Sequence, residues 1–73
     1  MKAQYDIGAL VVDESRGTSG RVMGHEGPYV QLRPPGGGRE WDADPAHVRP
    51  ADENECLRAS VAEQSLIQRG RSA

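Results

Sequence analysis

Apolar and polar positions alternate over short runs through the first fifty residues, and then the period changes. Ile7 to Asp13 is dense in β-branched and apolar residues and runs into the polar cluster Asp13-Glu14-Ser15-Arg16-Gly17, which predicts a first strand and a loop. Val11 and Val12 are adjacent, so strict alternation fails, and one of them is expected to face outward or to pack beneath a loop. Ser19 to Gly24 predicts a second strand with Val22 inward and Arg21 and Met23 on the other face. Gly24 marks a bulge or a close backbone approach. His25-Glu26-Gly27-Pro28 reads as a turn. Tyr29 to Arg33 has the cleanest alternation, with Val30 and Leu32 on one face and Tyr29, Gln31 and Arg33 on the other. Pro34-Pro35-Gly36-Gly37-Gly38 is an obligatory loop, since two prolines stop the strand and three glycines free the backbone. Arg39 to Asp42 predicts a fourth strand, with Trp41 in phase with a core position.

Asp44-Pro45-Ala46-His47-Val48 reads as a single helical turn, capped by Asp44 with Pro45 at its first position. Val48-Arg49-Pro50 is a short closing strand. Four strands, a one-turn helix and a fifth strand follow the order of small SH3-like barrels. From residue 51 the texture becomes helical. Asp52 and Glu55 form a capping-box start, acids fill the first turn, and Gly70 after Arg69 is a natural stop. Leu57, Val61 and Ser65 lie on one stripe, with Ala59, Ala62, Leu66 and Ile67 beside it. This thin apolar face is expected to pack on the barrel or on a second copy. The fold class predicted is therefore mainly β, a five-stranded SH3-like small barrel with a C-terminal α-helix. Its parts are the barrel at 1–50 and the helix and tail at 51–73.

Length limits what this pattern can hold. At 73 residues there is one small domain, and a core without Phe and with one Trp and two Tyr rests on Val, Leu, Ile and Ala. A net stability of roughly 3–5 kcal/mol is the expectation for such a scaffold. The single Cys56 excludes an intrachain disulfide and a Cys-based zinc cluster. No apolar segment of signal-peptide or membrane-span length is present, which predicts a soluble cytoplasmic chain without membrane partners. The net charge is −2. It divides evenly, with six bases and seven acids in residues 1–50 and three and four thereafter.

Gly8-x-Leu10-Val11-Val12, Arg16-Gly17-x-x-Gly20-x-Val22 and Val30-x-Leu32 together resemble the KOW motif of small SH3-like barrels in ribosomal proteins and transcription-elongation factors. The likeness covers residues 8–32. It implies RNA or protein binding through loops and one barrel face. The missing basic surplus departs from nucleic-acid-binding members and shifts the expectation toward protein. The run from Gly20 to Pro34, with Gly38-Arg39-Glu40-Trp41-Asp42, is also similar to short actinobacterial proteins of Streptomyces type, a likeness that implies no activity.

The candidate partner-binding residues are Arg21, Tyr29, Gln31, Arg33, Arg39 and Trp41, with the Pro34–Gly38 loop. Arginines beside an aromatic ring suit phosphate and base contact or a protein partner. The competing reading pairs these arginines with Glu14, Glu26, Glu40 and Asp42, and places Trp41 in the core. His25 and His47 have no metal-ligand spacing, so no metal and no cofactor is expected. Glu40, Asp42 and Asp44 have little room for a closed pocket, which argues against an enzyme. Three functions follow in order: a protein-binding or regulatory module, a KOW-like nucleic-acid binder, and a homodimer built through residues 53–69.

Overall fold

Residues 5–71 are described by the computed structural model, with side chains as far as residue 64. The strands are β1 (Leu10–Asp13), β2 (Thr18–Glu26), β3 (Tyr29–Arg33), β4 (Trp41–Ala43) and β5 (Val48–Pro50). A 3-10 turn at Pro45–His47 precedes β5, and the helix α1 spans Glu53–Arg71. All pairings are antiparallel, in the order β4-β3-β2-β1-β5. This is the order of a small SH3-like barrel, with the sheet open between β4 and β5.

Side-chain bonds across the interior show how far the sheet curls. In a flat sheet β4 would stand three strand spacings from β1, about 14 Å. Instead the Trp41 indole N–H of β4 donates to Asp13 Oδ2 of β1 at 2.9 Å. Val11, Val22, Val30, Leu32, Ala43 and Val48 fill the interior, and the partly buried Tyr5, Ala9 and Trp41 pack against them. Asp13 is in phase with Val11 and is only 2% exposed. Leu10 and Val12 are buried on the opposite face, so β1 is covered on both sides.

Several element ends move from their predicted places for local reasons. β1 begins at Leu10 rather than Ile7, because Ala9 N–H closes a turn on Asp6 O at 3.0 Å. The pairing nevertheless continues irregularly, as Gly8 N–H donates to Val22 O and Val22 N–H to Ala9 O. β2 reaches Glu26 because the hairpin turn needs only Gly27 and Pro28, leaving Glu26 opposite Tyr29. The predicted bulge is present: Val22 faces Leu32 and Gly24 faces Gln31, so Met23 is the extra residue. β4 covers Trp41–Ala43, and Arg39 and Glu40 remain in the loop.

The helix starts as its capping box dictates. Glu55 N–H donates to Asp52 Oδ1 and Asp52 N–H to Glu55 Oε1, both at 2.8 Å. It does not stop at Gly70 but runs to Arg71. Of the two packings expected for the Leu57–Val61 stripe, the one on the barrel is corrected. Leu57 and Val61 are 65% and 57% exposed, whereas Ala59 is buried. Two positions along a helix turn about 200°, which places Leu57 and Val61 nearly opposite Ala59. The row at i, i+4 spacing that meets the barrel is Glu55, Ala59 and Glu63, with Ala62 beside it and lying over Gly36. Small side chains permit the approach and carboxylates fix it. The Ser65, Leu66 and Ile67 side chains, part of the predicted stripe, and residues 1–4 of the predicted lead-in lie outside what is described.

Candidate interaction surface

The outer face of the sheet carries Arg21, Tyr29, Gln31 and Arg33 because strand alternation puts them there, whereas Arg39 lies in the loop and Trp41 on the inner face. Arg21 of β2 is directly opposite Arg33 of β3, and Gln31 of β3 is directly opposite Asp42 of β4. Like charges directly across a ladder repel, so the Arg21–Arg33 pair needs a counter-charge. α1 supplies it. Arg21 Nε donates to Glu63 Oε2 at 2.9 Å and Nη2 to Glu63 Oε1 at 3.1 Å, a two-toothed fork. Arg21 Nη1 also donates to Gly8 O at 3.1 Å. The Arg21 hydrogen bonds pull the Glu63 carboxyl below its ordinary pKa against the effect of partial burial, and the charges of Arg21 and Arg33 lower it further. Glu63 in turn raises Arg21.

Arg33, Arg39 and Tyr29 are exposed, and among the described residues neither arginine has a salt-bridge partner. Tyr29 keeps 46% of its surface in solvent. Gln31 is half-buried between Tyr29 and Arg33 on the same face. The acids anticipated as partners for Arg21 do not hold it; the carboxylate that does comes from the helix.

Trp41 turns inward. Its N–H bonds Asp13, its ring lies under the Arg16 guanidinium at 4.6 Å, and the ring edge comes close to Gly20 of β2. A Cβ at Gly20 would stand 2.9 Å from Leu32 Cβ and 3.0 Å from the Trp41 ring, so Gly20 is the clearance that seats the indole. Gly17 serves differently: its φ of +69° turns the loop, and its N–H closes on Asp13 O at 2.8 Å. Burial would raise the Asp13 carboxyl, but bonds from the Ser15 hydroxyl, the Trp41 indole and the Ser15 and Arg16 backbone outweigh it and hold the pKa low.

A second cluster fixes the start of α1. Arg49 forks onto Glu55 at 2.9 and 2.8 Å and donates from Nε to Glu14 Oε2 at 3.0 Å. The Arg49 fork, with the Asp52 N–H, brings the Glu55 pKa down to about 2. Beside it lies an open cleft of about 200 Å³ lined by Val12, Gly17, Thr18, Ser19, Glu55 and Arg58. Among the described residues no group of three His, Cys, Asp or Glu is placed to hold a metal ion, and no helix is long and apolar enough to cross a membrane.

Glu63 and Asp13 escaped the sequence reading. Glu63 was findable as the end of the Glu55-x-x-x-Ala59-x-x-x-Glu63 row, with Ala59 at the centre of the packed face rather than at its flank. Asp13 closes an apolar run in phase with Val11, a signal indistinguishable from a loop start. Compared with protein-family models, curated proteins and solved structures, the chain matches none.

Proposed function

We propose that the chain is a non-enzymatic binding module that acts through protein–protein contact on the outer face of β3. The observation that carries this reading is the row Tyr29, Gln31, Arg33, which presents an exposed ring, a half-buried amide and a cation along one strand. Arg39 and the Pro34–Gly38 loop extend the same region, while Trp41 contributes from below by holding β4. Exposed tyrosine and arginine are the residue types that dominate protein interfaces.

Glu26 opposite Tyr29 and Asp42 opposite Gln31 put acids on this face, which favours a protein surface of mixed charge over a phosphate backbone. The test is capture of partners by the intact chain from a lysate of its source cell, repeated with Tyr29→Ala/Arg33→Ala. Loss of a captured protein in the double variant supports the reading. Equal capture by both proteins would refute it. A gel shift that disappears steeply with added salt would transfer the function to nucleic acid.

A further inference from the structure

We infer that Arg21 and Arg33 form a two-arginine clamp for carboxylates, occupied in cis by Glu63, and that the partner presents an acidic segment that competes with Glu63 for it. The inference rests on the protein-binding reading and names the partner's chemistry. Three observations lead to it. The arginines are directly opposite each other on neighbouring strands, an arrangement that is unfavourable when empty. The group that fills it is a glutamate on a separate element, held by two charge-assisted bonds to Arg21 alone. The clamp therefore has an unused side, since Arg33 is exposed and has no salt-bridge partner among the described residues.

The element that delivers Glu63 is lightly seated. Ala59 is the buried apolar side chain of α1 among the described residues, and its larger apolar side chains Leu57 and Val61 face solvent. An incoming carboxylate can take the open Arg33 side first and then displace Glu63 from Arg21. A group that holds a site closed nine parts in ten lowers the apparent affinity of a competitor about tenfold.

The test uses the full chain and a fluorescently labelled oligoglutamate peptide, read by anisotropy at fixed ionic strength, with an oligoglutamine peptide as control. Glu63→Gln is expected to bind oligoglutamate about tenfold more tightly than the unaltered chain. Glu63→Asp keeps the charge with a shorter reach and is expected to fall between them, giving a folded comparison should Glu63→Gln be poorly folded. Arg33→Ala in the Glu63→Gln background is expected to abolish the gain. The inference is overturned by equal binding across these proteins, by no binding in any, or by a gain that survives Arg33→Ala. Tighter binding of an oligonucleotide of equal charge overturns it in favour of phosphate. Failure here with Tyr29-dependent partner capture intact removes only the acidic-segment assignment. Absence of that capture removes the module reading itself.

Discussion

Arg21 and Arg33 stand directly opposite each other on β2 and β3, and Glu63 of α1 grips the first while lying in the field of the second. The helix is thus fastened to the sheet at the point where the sheet would otherwise repel itself. Glu63→Ala should cost about 1 kcal/mol, at the upper end for a solvent-screened pair because the geometry is bidentate. Urea denaturation would measure it. Added salt should narrow the gap between the two proteins, since it screens the attraction and the repulsion together.

Gly17 and Gly20 should fail for different reasons. Gly17→Ala forces a side chain into the left-handed region and should cost about 1–2 kcal/mol while leaving the indole environment unchanged. Gly20→Ala meets Leu32 and the Trp41 ring at about 3 Å and should cost about 1–3 kcal/mol. It should also shift the emission of Trp41. Denaturation followed by tryptophan fluorescence separates the two, and an unshifted spectrum in Gly20→Ala would contradict the packing role.

The solvent side of α1 should be indifferent to polarity. Leu57→Gln is expected to change stability by less than about 0.5 kcal/mol. Ala59→Leu, at the seam, should destabilise by about 1–3 kcal/mol and speed amide exchange in the helix. The reverse ranking would mean that the helix rests on its other face.

Acid should loosen both the helix and the bond between β1 and β4. Asp13, Glu55 and Glu63 all have pKa values lowered in the folded chain. A carboxyl depressed by folding contributes stability above its unfolded pKa and loses it as the pH falls through the folded one. For Glu55 that window runs from 4.5 down to about 2. Stability should therefore decline with falling pH across this range, and Glu55→Gln should flatten the decline. Urea midpoints measured at successive pH values would show it.

Much of this molecule was legible from alternation and turn chemistry. Val30 and Leu32 against Tyr29, Gln31 and Arg33 set the faces of β3, and Asp52 with Glu55 set the start of α1. The candidate site was legible as to which residues lie on the outer face, because that is local. Its occupancy was not. Arg21 and Glu63 are 42 positions apart, and only the seating of the helix brings them together. That seating was misread because Leu57 and Val61 outweigh Ala59 in apolar content, whereas the packed row is chosen by close approach and two carboxylates.

The pairing of β1 with β5 joins residues 11–13 to 48–50. A strand with both neighbours in place only after the chain has returned from so far away is a late partner in assembly. As the chain grows from its N-terminal end, β2 reaches β1 early, but the other edge of β1 stays unpaired until residues 48–50 have been made. The order of synthesis therefore leaves Leu10–Asp13 half-dressed, one edge of its backbone open, while three further strands are made.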